Sequence, residues 1–349
     1  MTVTLEHVAK RANVSASTVS LILNGKGMKY RVETRRRVLE AARALDYRPN
    51  VSAIGLRQSR SLLLGVLLSR VNAPLASAFF EGIQAAAMRE SYAPLTFACG
   101  SAPSEDQALT IATDRRVDAF IINSADTTSS PANLARLTEL AESGKPVVEV
   151  FGQRVPGVPR VNVDFESAGY LATRRMVEMG LKRVGFLNSN EFSQADPDDP
   201  LFWYARLMYR GYCRAVQEAG QERVLVEVPR SFEQLIATSP RVTDWLADDA
   251  RRVLLEDREL DGVYCVYGLL ANALSLALLR DASLLRPRFT VASFPSGLRP
   301  LLHHERRLLL SYRAAEAGRA AVESALGLLA GETVESRLIA PDIETLEPT

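Results

Sequence analysis

From Leu62 onward the chain alternates short, nearly continuous apolar runs with longer stretches of helical periodicity, and that alternation leaves few architectures open. The runs are Leu62–Leu68, Ala119–Ile122, Val147–Phe151, Val184–Leu187, Val263–Tyr267 and Phe289–Ser293. A run apolar at every position, rather than at every second one, suits a parallel strand covered on both faces. Between the runs lie helical stretches such as Ala76–Arg89, Glu166–Met179 and Leu269–Arg280. Strand then helix, repeated, predicts a doubly wound α/β body, and the strands suffice for two sheets. Ligands in such folds sit beyond the carboxyl ends of the strands, and a cleft between two lobes is the default place.

The first sixty residues read differently. Leu5, Val8, Ala9 and Ala12 make one apolar face of a short helix, which Asn13-Val14 breaks. Ser15 can cap a second helix that buries Val19, Ile22 and Leu23, with Val14 at the turn and Asn24-Gly25 closing it. A third helix spans about Val32–Asp46, with Val38, Ala42 and Leu45 inward and Arg35, Arg36, Arg37 and Arg43 mostly outward. Three such helices, the first two joined by a tight turn, predict a helix-turn-helix. The face of the second helix turned from the core is Ala16, Ser17, Ser20, Leu21 and Asn24, without one charge. A helix meant only for solvent is rarely so bare, whereas small hydroxyls and short apolar groups can approach base edges and thymine methyls in a major groove.

Charge separates the two parts. Residues 1–60 hold 12 Lys and Arg against 4 Asp and Glu, while the rest holds 30 against 37, so a net charge of +1 hides a basic head on an acidic body. A basic head suggests a polyanionic partner. After Tyr47-Arg48-Pro49 comes Asn50-Val51-Ser52-Ala53-Ile54-Gly55-Leu56-Arg57, at most two helical turns and too short to stand alone in water. Such a segment is expected to order on a partner. Leu56 beside Arg57 and Arg60 suits a wedge between base steps of a minor groove.

The run TLEHVAKRANVSASTVSLILNG, followed by ETRRRVLEAARALDYRPN and a hinge with alanine and leucine three apart, resembles the lactose-repressor/galactose-repressor (LacI) family of transcription regulators. The resemblance covers the whole chain and is most specific over residues 3–57. It implies a DNA-binding head over residues 1–49, a hinge over 50–60 and an effector-binding, dimerising body over 61–349. The body would form two periplasmic-binding-protein-like lobes, one of about 61–160 plus 291–320 and one of about 161–290 plus 321–349, with crossings near 160, 290 and 320. Its implied partners are a palindromic double-stranded operator, a second copy of the chain and a possible small-molecule effector.

By position, Thr4, Leu5, Ser15, Ala16, Ser17, Thr18, Leu21, Thr34, Asn50, Ala53 and Leu56 fall on family DNA-contact positions. Ser20, Asn24, Arg31 and Arg57 join them as candidates. Leu21 stands where members often carry arginine, and Arg31 stands near the place of a helix-capping serine. Both departures bear on operator sequence rather than on DNA binding itself.

The effector cleft departs further from the family pattern. Asp164 is kept, but Phe165 stands where asparagine is frequent, Met208 where arginine is, Gly268-Leu269 where Asn-Asp is, and Phe294-Pro295-Ser296 where Phe-Asp-Asp is. A site stripped of hydrogen-bonding groups discriminates poorly among hydroxylated ligands, so a free sugar fits badly. The remaining candidates are Asn72, Asp164, Phe165, Trp203 and Arg206, with Phe202-Trp203-Tyr204 offering either ring stacking or core packing.

Several classes are disfavoured. Dinucleotide, phosphate-loop and nucleophile-elbow motifs are absent, so neither an enzyme nor a cofactor is expected. Cys99, Cys213 and Cys265 are far apart, and with three histidines neither a disulfide framework nor a metal site is expected. The charge-free run Gly262–Leu279 contains Asn272, Ser275 and a central glycine and splits better into strand and helix than into a membrane span. Met1–Lys10 shows no apolar signal core, so a cytoplasmic protein is expected. Three rivals stay open: a solute-binding module, an enzyme with a DNA-binding head, and a regulator that binds DNA constitutively. No heptad pattern precedes the end, which disfavours a coiled-coil tetramer.

Overall fold

The computed structural model describes residues 3–23, 27–47, 60–68, 74–123, 130–196, 199, 202–230, 242–284, 286, 288–295 and 305–347. It divides into two compact units, Met1–Ser61 and Leu62–Thr349. The predicted contacts Asn24, Asn50, Ala53, Leu56, Arg57 and Asn72 lie outside the described residues.

The first unit holds α1 (Leu5–Ala12), α2 (Ala16–Leu23) and α3 (Val32–Ala44). Asn13 takes a left-handed φ of 53° and ends α1, which asparagine tolerates. Two residues later the Ser15 hydroxyl accepts the Thr18 N–H at 3.2 Å and opens α2. Val8, Val19 and Val38, one from each helix, are fully buried at the centre, with Ala9, Ala12, Ile22, Ala41 and Ala42 around them. The small residues let three short helices close on each other, and burial of the valines and Ile22 contributes about 1.5–3 kcal/mol each. Gly27 brings the next loop directly onto α2, since a Cβ there would lie 2.8 Å from the Ile22 Cα.

The second unit continues in chain order with β1 (Leu63–Leu68), α4 (Pro74–Arg89), β2 (Ala93–Ala98), α5 (Ala102–Asp114), β3 (Ala119–Ile122), α6 (Pro131–Glu142), β4 (Val147–Val150) and β5 (Arg160–Val163). Then come α7 (Phe165–Glu178), β6 (Val184–Ser189), α8 (Trp203–Glu218), β7 (Val224–Val228), α9 (Val242–Glu256), β8 (Gly262–Cys265), α10 (Gly268–Arg280) and β9 (Thr290–Ser293). The last elements are β10 (Arg306–Ser311), α11 (Ala314–Leu329), β11 (Arg337–Ile339) and β12 (Asp342–Leu346). One sheet has the order β11-β5-β4-β3-β1-β2 and the other β12-β10-β9-β8-β6-β7. Among the described residues every pairing is parallel except β10 with β12. The two-lobed α/β architecture is therefore as expected, and the run from Gly262 splits into β8 and α10. No helix among the described residues is long and apolar enough to cross a membrane.

The lobe boundaries differ from the expected ones. β9 pairs with both β8 and β10, so residues 290–311 belong to the second sheet, and β11 pairs with β5 in the first. The chain crosses at Asp164, at Tyr312-Arg313 and at Ala340-Pro341, which displaces the second and third crossings from 290 and 320. The difference lies in the strand Arg306–Ser311, whose two leading arginines keep it from reading as an unbroken apolar run.

Packing explains how the lobes are joined. The outer face of the first sheet has its own core under α5 and α6, and that of the second has its own under α9 and α10. The remaining faces, covered by α4 with α11 and by α7 with α8, share one continuous buried cluster from Leu64 and Phe79 to Phe186 and Phe294. Each covering pair is drawn together by reciprocal glycines. A Cβ on Gly82 would lie 2.0 Å from the Ala315 carbonyl oxygen, and one on Gly318 would lie 2.2 Å from that of Phe79. In the second lobe, a Cβ on Gly169 or Gly211 would likewise lie 2.0 Å from the carbonyl oxygen of Met208 or Glu166.

Candidate nucleic-acid interface and interlobe cleft

In the head, the candidate DNA contacts gather at the starts of three helices. Thr4 and Leu5 open α1, Ser15 to Thr18 open α2, and Arg31 and Thr34 open α3. Helix N-termini present unpaired N–H groups and a positive dipole end, which favour phosphate oxygens. The Ser15 hydroxyl lies 2.9 Å from both the Ser17 and Thr18 hydroxyls, so this cap is a small hydroxyl cluster. Ser17 is exposed, and Leu21 is half-buried but outside the head core. Ala16 and Leu5 serve two purposes, because both are half-buried and pack on that core. Thr4 offers its backbone N–H to His7 Nδ1 at 3.1 Å.

The basic side chains divide. Arg36 is held between Glu33 at 2.6 Å and Glu40 at 3.5 Å, and this contact lowers the Glu33 carboxyl below its ordinary range. Arg31 and Arg43 are exposed and make no ion pair among the described residues. Arg31 precedes α3 without a side-chain capping bond, so its guanidinium is not used to hold the helix.

The cleft candidates separate into structural and available groups. Asp164 accepts the Ser167 N–H at 2.9 Å and the Ser167 hydroxyl at 2.6 Å, so both oxygens cap α7. Phe165 is buried and meets Trp203 edge-on, with centroids 5.5 Å apart, and Phe294 at 6.0 Å. Phe294 stacks on Tyr312 at 4.0 Å and 17°. These rings take up the space at two of the three crossings. Met208 is buried, its carbonyl in the contact with Gly169. Arg206, two positions away, turns to another side and donates through Nη2 to the carbonyls of Ala195 at 2.9 Å and Asp196 at 2.7 Å. Burial pushes the Tyr264, Tyr267 and Tyr312 phenols up, so all three are neutral at physiological pH.

Trp203 and Arg206 also line a cavity of about 550 Å³. Phe192 and Tyr209 supply aromatic wall and Gln153 comes from the first lobe. The loop carrying Gln153 is built around the fully buried Glu149 carboxylate, which accepts the Arg154 N–H at 2.7 Å, the Val155 N–H at 3.3 Å and Arg160 Nε at 3.2 Å. Gln153, Phe192 and Tyr209 were missed in the sequence. The available signal was position, since Gln153 and Phe192 each follow the carboxyl end of a strand.

Comparison with known proteins agrees with both units. Residues 4–50 match the bacterial regulatory proteins of the lacI family, and residues 61–234 match the periplasmic binding proteins and sugar binding domain of the LacI family. Catabolite control protein A of Staphylococcus xylosus is 30% identical over 201 residues, which are 57% of this chain and 59% of the relative. The protein of that name from Priestia megaterium is 28% identical, with 63% of each chain covered. The chain thus spans about three fifths of the length of these relatives. The transcriptional repressor PurR of Mannheimia succiniciproducens is 25% identical over 77% of this chain and 74% of its own. Among solved structures, the lac repressor dimer bound to operator and the anti-inducer ONPF gives a TM-score of 0.69 at 20% identity, with 98% of each chain covered. The transcriptional regulator CelR in complex with cellobiose gives 0.61 at 20% identity and 99% coverage of each. At these identities the structures speak for the fold alone.

Proposed function

The chain belongs to the lacI family of bacterial regulatory proteins, and from that premise we propose that it is a sequence-specific, DNA-binding transcriptional repressor that acts as a homodimer in the cytoplasm. The head (residues 1–49) reads duplex half-sites, the hinge (50–60) enters the central minor groove, and the body dimerises. One observation carries the reading: a strongly basic three-helix head turns toward solvent a second helix with no charged residue. Ser17, Ser20 and Leu21 on that face are groups of the size and polarity that read base edges, while Arg31 and the helix starts suit phosphates. No catalytic role is assigned.

Selection from a random duplex pool tests this directly. A repressor of this kind enriches a near-palindrome and holds it against excess heparin, with affinity that falls steeply as salt rises. Failure to prefer any duplex over heparin in dilute buffer overturns the proposal.

A two-lobed body offers such a regulator two modes of working. Either a ligand between the lobes shifts operator affinity, or the lobes stay fixed and the operator is held constitutively. Two structural neighbours hold a small molecule, cellobiose in one and the anti-inducer ONPF in the other. A free sugar in the deep cleft of this chain has little to bind, because the Asp164 oxygens are committed to a helix cap and aromatic rings fill two of the three crossings.

A further inference from the structure

The rings that close the deep cleft leave open space on the other side of Trp203. Its indole is 8% exposed and has two neighbourhoods, the edge-on contact with Phe165 and the wall of the ≈ 550 Å³ cavity. That volume lies within the range of small-molecule sites. Gln153 brings the first lobe into a lining otherwise drawn from the second, so an occupant touches both lobes at once. On the assumption that this chain is a ligand-controlled regulator, we propose that the cavity is its effector site and that the effector is a small aromatic carboxylate.

The chemistry follows from what the lining lacks. Trp203 Nε1 and Arg206 Nε are buried N–H donors on residues three apart in α8, with no hydrogen-bond acceptor among the described residues. A buried donor left unmatched is costly, and native structures rarely keep one without a reason. Matching both donors takes acceptor oxygens, which a carboxylate carries in a pair. The nearby alternatives are engaged: Ser193 donates its hydroxyl to Glu227 at 2.8 Å, and Arg206 Nη2 is spent on two backbone carbonyls. Among the described lining residues Arg206 and Arg210, the latter shared with Glu166 at 3.3 Å, face one carboxylate, that of Asp199, so the lining leans toward an anion. Phe192, Trp203 and Tyr209 supply flat apolar wall, which favours a ring over a polyol. A ligand held there presses on the ring that packs against Phe165, and so on the junction between the lobes.

The chain has two tryptophans, and the other, Trp245, is 43% exposed on α9 and does not line the cavity. Full-length protein carrying Trp245→Phe therefore reports on Trp203 alone. The probes are benzoate, 4-hydroxybenzoate and indole-3-carboxylate, with benzamide as the uncharged analogue and glucose and glucose 6-phosphate as the sugar arms. The expected result is saturable quenching of Trp203 fluorescence by at least one acid, with benzamide at least about tenfold weaker. Calorimetric titration of Trp203→Phe, which keeps a ring and removes the donor, should show the same acid bound about tenfold more weakly, the size of one lost hydrogen bond. Arg206→Lys checks the second donor in a protein whose fold is verified by its circular dichroism. Binding of no acid, equal binding of acid and amide, or preference for a sugar or sugar phosphate overturns the proposal. These titrations contain no DNA, so their failure is distinct from a failure to select an operator.

Discussion

Replacing Gly211 by alanine tests how the helices of the second lobe are held together. The added Cβ would stand 2.0 Å from the Glu166 carbonyl oxygen and 2.6 Å from the Tyr170 nitrogen, where ordinary contact begins near 3.4 Å. Neither atom is the end of a flexible side chain, so α7 and α8 must part by roughly 1 Å or more. A gap of that size forfeits about a quarter to a half of the dispersion attraction across it, and Ala168, Ala172, Ala205, Met208 and Tyr212 are all buried along these two helices. Overpacking of a tight core costs about 1–3 kcal/mol and occasionally more; alanine returns about 1 kcal/mol through helix propensity. With the contact at 2.0 Å placing the cost at the upper end of that range, a net loss of about 1–2 kcal/mol is expected for Gly211→Ala. Urea denaturation followed by far-UV circular dichroism measures it, with Gly100→Ala as control, since a Cβ there meets nothing within 4 Å. If the two variants unfold within about 0.5 kcal/mol of each other, the range expected of bland surface changes, the close approach does not hold the lobe as described.

Other outcomes follow from the same contacts. Ser15→Ala removes the cap of α2 and should destabilise the head by about 1 kcal/mol, read as a lower melting temperature of the isolated first transition or as weaker operator binding. Glu149→Ala leaves two backbone N–H groups and Arg160 Nε without their acceptor; a loss of about 3 kcal/mol is expected, and Glu149→Gln should recover part of it. Burial pushes the Cys99 thiol up to about 12 from an ordinary 9.0, and burial likewise raises the Tyr209 and Tyr212 phenols to about 12 from 10.0. In each case the unfolded chain releases its proton first, so this contribution to stability is whole below pH 9 and is lost between about pH 9 and 12. Melting temperatures across that window should fall, and Cys99 should resist iodoacetamide at pH 8.5 until urea is added.

The parts of the fold legible in the sequence were those buried on both sides. Ala119–Ile122 and Val147–Val150 read as strands because every residue is apolar or, in Glu149, paired. β2 and β7 stand at sheet edges with half-exposed residues, and β5 carries Arg160 and Asn162, so none of them forms an unbroken apolar run. The head was legible nearly residue by residue, because Asn13, Ser15 and the valines act within a few positions of each other. The cleft was less so. Its composition showed that hydrogen-bonding groups were missing, but the commitment of Asp164 to Ser167, or of Arg206 to the carbonyls of Ala195 and Asp196, depends on where a side chain turns. Gln153 reaches its place only through Glu149, a long-range arrangement that no local spacing encodes.

The threefold crossing has a consequence for synthesis on the ribosome. Strand β11 and the covering helix α11 complete the first lobe, yet both lie downstream of nearly all of the second. At roughly 5–20 residues per second, the interval between emergence of β5 and of β11 lasts on the order of ten to thirty seconds. Through that interval the nascent sheet of β1 to β5 shows an uncovered apolar flank to the cell, so a pause in synthesis before Ala314 prolongs the exposure that favours aggregation.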